Sequence, residues 1–110
     1  MRRLMGVFMY KLLALYDEPA DRAAFEAHYR DVHAPLARRI PGLERLVVNQ
    51  VHGTPMGDTA PYYLVAELHF PDRETFKAAA QSPEFQAAGA DLANFARGKV
   101  TLLVVESEEA

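Results

Sequence analysis

Apolar and polar positions change their period several times along this chain. Lys11 to Tyr16, KLLALY, is a short apolar run closed by the turn-forming DEPAD, which predicts a first strand. From Phe25 the spacing lengthens: Phe25, Tyr29, Val32 and Leu36 fall on one side of a helix, with Asp21 as its N-cap. Pro35 restricts Ala34 and lacks an N–H donor, so the helix is expected to stop or kink near His33, before Pro41-Gly42 reverses the chain. Leu43 to His52 and Tyr62 to Phe70 read as two strands joined by GTPMGDTAP, an antiparallel hairpin with a long loop. Asp72 caps a second helix that runs through Phe76. Ser82-Pro83-Glu84 restarts it, with an N-cap and a proline at the first helical position, so this helix is predicted to be broken. Val100 to Glu106 is the closing strand, followed by the acidic tail ESEEA.

The order is therefore βαββαβ, the ferredoxin-like arrangement of the α+β class: a four-stranded antiparallel sheet with its helices on one side. VTLLVVE is apolar on both sets of alternate positions and KLLALY nearly so, whereas a sheet with one wet face alternates. Helices cover only one face. The second needs another cover, and another copy of the same face supplies it, so a homodimer with sheet against sheet is predicted.

Composition narrows the functional classes. The 110 residues fit one domain, with residues 1–8 read as an N-terminal extension. A formal net charge of -3 gives no basic surplus for a phosphate backbone, which argues against nucleic acid as a partner. Without cysteine there is no thiol chemistry and no disulfide, which fits a cytoplasmic location. No apolar run reaches the roughly 20 residues of a membrane span. No glycine-rich phosphate loop and no G-x-S-x-G elbow is present, and no cofactor is expected.

Candidate chemistry rests on a few polar side chains. By strand alternation Tyr62, Leu64, Ala66, Leu68 and Phe70 take the helix side, which sends Tyr63, Val65, Glu67 and His69 toward the dimer cavity. Glu67 and His69, two apart on one face, are placed to meet and move protons, or to form a structural ion pair across the interface. On a regular helix His28 and His33 lie on opposite flanks of the apolar stripe, so they do not share a face and no metal site is expected. His33, released by Pro35, is placed near the cavity mouth, with helix capping as the equal alternative. Tyr16, at the end of the first strand, and Asn49, alternating with Val47 and Val51, are candidates either to line a cavity or to satisfy a partner strand, and Phe25 and Tyr29 are core residues first.

These residues carry a resemblance. Phe25-x3-Tyr29-x3-His33-x-Pro35-Leu36, Pro41-Gly42, Tyr63 with Glu67 and Phe70, Phe76, the Ser82-Pro83-Glu84 restart, and Asp91 with Phe95 together resemble the EthD-like family of the dimeric α/β-barrel superfamily, named for ethyl tert-butyl ether degradation. The likeness runs from about Tyr10 to Glu106. It implies a ferredoxin-like subunit pairing into a barrel. It also implies a cofactor-independent isomerase or oxygenase acting on a small cyclic or hydrophobic metabolite, or else a non-catalytic accessory or metabolite-binding dimer of a degradation pathway. A purely structural dimer is a third reading. Carried over, His33 is the general acid/base, Tyr63 and Glu67 orient substrate and His69 is the second proton-transfer candidate; Glu67 is counted with the two histidines as catalytic, and Asn49, Tyr16 and Tyr29 join Tyr63 as substrate-binding candidates from their own positions.

Overall fold

The computed structural model describes residues 9–110; the expected extension at 1–8 lies outside them. Four strands, β1 (Met9–Tyr16), β2 (Arg45–Gln50), β3 (Leu64–Phe70) and β4 (Val100–Ser107), form one antiparallel sheet in the order β2-β3-β1-β4. This is the predicted ferredoxin-like α+β arrangement. The first helical segment comprises α1 (Arg22–His28), a π-helical turn (Tyr29–His33) and α2 (Ala34–Arg38). The second is broken as expected into α3 (Arg73–Ala80) and α4 (Pro83–Phe95). Asp21, Asp72 and Ser82 each accept the backbone N–H three residues on, satisfying donors that a helix start leaves open.

The expected stop near His33 does not occur. A proline ring clashes with the carbonyl four residues back in a regular α-helix. Ahead of Pro35 the chain instead widens into the π turn, with Ala34 N–H donating to the Tyr29 carbonyl, and the helix runs on to Arg38. At the following turn Gly42 takes φ +83°, and a Cβ there would lie 2.5 Å from Thr75 Cγ2, so α3 packs where only glycine fits.

Register fixes the two faces of the sheet. Ala14 pairs with Ala66 and Leu102, and Tyr16 with Leu64 and Val100; these residues face the helices. Rings cluster there: Tyr16 lies 5.3 Å from Phe25 and 5.8 Å from both Tyr29 and Phe95, mostly tilted or edge-on. Truncating a fully buried aromatic such as Phe70 costs about 3–5 kcal/mol. On the opposite face Leu13 pairs with Glu67 and Leu103, Lys11 with His69 and Val105, and Val47 with Glu67. Leu103 on that face is about half exposed in the single chain.

Candidate active site

The π turn changes which side chains share a face. One π turn takes about five residues, so His28 and His33, directed apart on a regular helix, come onto one side. Both meet Asp91 of α4. His33 Nδ1 lies 3.0 Å from Asp91 Oδ2, and His28 Nε2 lies 3.0 Å from each carboxylate oxygen. Asn94, one turn along α4, donates to Oδ1 at 2.9 Å. The reading that the two histidines do not share a face is therefore corrected: it assumed 100° per residue through a stretch where the helix is wider.

Asp91 is 5% exposed. Burial alone would raise its carboxyl, yet the hydrogen bonds from Asn94, His28 and His33 outweigh it and hold the group below the usual aspartate value. An ionised carboxylate only accepts, so His33 donates through Nδ1 and its neutral ring carries the lone pair on Nε2. Burial pushes the His33 imidazole down, partly offset by the hydrogen bond to and charge of Asp91, so the neutral form prevails at neutral pH. Phe95 packs against both rings, with centroids 4.8 Å from His28 and 4.9 Å from His33, and Tyr29 lies 5.4 Å from His33.

His33 borders a cavity between the helices and the helix-facing side of the sheet. Its walls are apolar, from Leu12, Ala14, Ala66 and Leu68 of the sheet to Ala88 and Leu92 of α4, and Tyr16 and Tyr29 also line it. Its volume is about 60 Å³. A single water requires roughly 10–15 Å³ by the same measure, so the space holds several waters or a small ring. Leu102, half exposed on the edge strand β4, stands at its rim. Tyr16 is 1% exposed and Tyr29 6%, and neither hydroxyl has a hydrogen-bond partner among the described residues. Among the described residues no fully sealed side-chain nitrogen or oxygen lacks a partner, so these hydroxyls must face accessible space.

The remaining candidates lie elsewhere. Glu67 and His69 do meet, with His69 Nε2 2.9 Å from Glu67 Oε1, but on the outer face of the sheet, away from His33. Lys11 Nζ lies 3.3 Å from the same oxygen, and Asn49 Nδ2 donates at 2.9 Å to both Glu67 Oε2 and the Val65 carbonyl. Burial would raise the Glu67 carboxyl, but His69, Asn49 and Lys11 hold it below the usual glutamate value. Tyr63 joins neither group. It precedes β3, outside the strand whose alternation set its expected direction, and packs edge-on to Phe25 at 5.7 Å. Its hydroxyl donates to Glu26, and Arg22 lies over its ring. The single cavity expected to unite His33, Tyr63, Glu67 and His69 is thus resolved into separate places by the sheet itself. Asp91 and His28 were the residues whose joint role the sequence did not disclose, although the HxP motif two residues ahead of Pro35 marked the spot.

The chain's residues 17–99 match the family model described as the EthD domain. A protein of Rhodococcus erythropolis, described as an uncharacterized 11.0 kDa protein of the thcB-thcC intergenic region, is 39% identical over 100 residues, covering 91% of this chain and 96% of its own. The crystal structure of an ethyl tert-butyl ether degradation family protein from Bacillus halodurans is 41% identical with a TM-score of 0.84, covering 90% of this chain and 98% of that one. More distant structures share the fold. A dimeric ferredoxin-like protein from Jannaschia has 23% identity and a TM-score of 0.63 over 93% of this chain and 99% of that one. SnoaB, a cofactor-independent oxygenase from Streptomyces nogalater, has 18% identity and a TM-score of 0.59 over 91% and 90%.

Proposed function

This chain belongs to the EthD family, and we propose that it transforms a small hydrophobic molecule by proton transfer at His33 within the helix-side cavity. The observation that carries this reading is the pairing of His33 with Asp91. The carboxylate fixes the tautomer and orientation of the ring, supports the imidazolium once it forms, and leaves Nε2 as the basic atom of a residue that borders an apolar cavity. The arrangement suits an isomerase that removes a proton from carbon and returns it at another position. Asp91 is the positioning residue. Glu67, His69, Lys11 and Asn49 belong to a second role, neutralising the outer face so that it can be covered by a second copy; the exposed Leu103 beside them and the dimeric fold neighbours support that assembly.

The test is exchange of carbon-bound hydrogen for deuterium in D₂O, followed by NMR over a panel of small cyclic hydrophobic compounds. Catalysed exchange by the wild type should fall about 10²- to 10⁴-fold in His33→Gln and stay within a few-fold in Glu67→Gln. Exchange indifferent to His33→Gln would sink the proposal. Binding without exchange anywhere in the panel favours an accessory, ligand-holding role.

A further inference from the structure

The helix-side cavity is apolar except at His33 and two tyrosines. Apart from His33, the lining residues that carry a polar side-chain atom are Tyr16 and Tyr29, both almost wholly removed from solvent. Neither hydroxyl has a hydrogen-bond partner among the described residues and neither is fully sealed, so each is free to donate to a ligand atom. The rings are held rigidly: Tyr16 is wedged among Phe25, Tyr29 and Phe95, and Tyr29 between Tyr16 and His33. Fixed donors beside an apolar wall are the arrangement that stabilises a developing oxyanion.

We infer that the cavity selects carbonyl compounds bearing an acidic α C–H, the carbonyl oxygen taking hydrogen bonds from Tyr16 and Tyr29 while His33 Nε2 takes the α-proton. This rests on the proton-transfer reading and names its substrate class. In the step, the C–H bond breaks and its proton goes to Nε2. The electron pair forms the C=C bond, and the carbonyl π pair moves to oxygen as an enolate held by the hydroxyls. Return of a proton from His33 to carbon restores the carbonyl form, so nothing is consumed. Both phenols suit the task, since burial above all raises them: Tyr29 is pushed up to about 12 and Tyr16 further, with Tyr29 and Asp91 adding to the effect. They stay protonated, and hence donors, at every pH at which the protein is used.

The experiment uses 2-indanone, a planar ketone with acidic α-hydrogens, and indane, the hydrocarbon of the same skeleton. Binding is followed by ligand-observed NMR and α-H/D exchange in D₂O. Wild-type protein should bind 2-indanone about tenfold more tightly than indane and catalyse its exchange. Tyr16→Phe should lower catalysed exchange about 100-fold and Tyr29→Phe by a similar or smaller factor, with indane binding unchanged. Phenylalanine keeps the ring packing, and an unaltered near-UV CD spectrum verifies the fold. Equal affinity for ketone and hydrocarbon, or no binding of either, overturns the inference. So does exchange that requires His33 yet is unmoved by either tyrosine variant, an outcome that leaves the proton-transfer reading standing. Ketone preference lost in Tyr16→Phe, with no catalysed exchange in the wild type, upholds the ligand class and removes the base.

Discussion

On each side of the sheet lies a carboxylate bound by histidine, Glu67 on the strand β3 and Asp91 on the helix α4, and the two are balanced differently. Glu67 on the outer face has Lys11 as a permanent cation, and its two oxygens are taken by Lys11, His69 and Asn49. Asp91 on the helix side has no lysine or arginine bonded to it among the described residues, only His28, His33 and Asn94. The first arrangement is closed: a lysine lies against the carboxylate, both oxygens have partners, and nothing in it requires a ligand. The second is open, because its counter-charge depends on protonation of an imidazole, and His33, one of its two histidines, borders a cavity. Closed polar groups suit an interface and open ones suit chemistry.

The contrast is broken most strongly at Asp91. Replacing it with Ala removes the shared acceptor of two histidines in a buried site and should cost about 3 kcal/mol of stability, as for other buried pairs cut on one side. Glu67→Gln, at a group 23% exposed, should cost about 1 kcal/mol. Urea denaturation of the two variants compares them directly, and equal losses would erase the distinction. A second pair of variants separates the faces by assembly. Leu103→Lys places a charge on the outer face and should shift sedimentation to the monomer, whereas Leu102→Lys, its neighbour on the opposite side of β4, should leave the dimer intact.

The smallest effect is in pH. His33 has a folded value below its ordinary 6.5, so the unfolded chain binds the extra proton and the folded one resists it. Its stabilising contribution is complete above about pH 6.5 and declines as pH falls below that point. Asp91 and Glu67, also depressed in the fold, add a further loss as pH falls below their ordinary values of 3.8 and 4.5. Thermal melts from pH 8 to pH 4 should show the shallow early decline in the wild type and its absence in His33→Gln.

Much of this architecture is legible from period alone. The strands, the broken second helix and the two-sided apolar character of β4 follow from spacing and capping residues such as Ser82-Pro83-Glu84, because those signals are local. The site is legible only in part. His33 and Pro35 mark the place, and Glu67 and His69 meet as strand alternation requires. What alternation misses begins where the element ends: Tyr63 lies one residue before β3 and turns to α1. Asp91 is 58 residues from His33 and 63 from His28, a pairing that no short-range pattern encodes. The assignment of the cavity to the helix side required knowing where the large side chains leave space.

The wide turn at Tyr29–His33 can be viewed as a phase adjustment. A helix with a fixed period presents its residues in a fixed angular sequence, and no choice of side chain alters that sequence. One surplus residue does, rotating everything beyond it by about 100° relative to everything before. Here the surplus lets α1 keep Phe25 against the sheet while turning His33, on the far side of the offset, toward α4. Chain length within this segment is therefore itself a variable of the site: deleting a single exposed residue such as Arg30 would leave every candidate side chain in the sequence and turn His33 out of phase with Asp91.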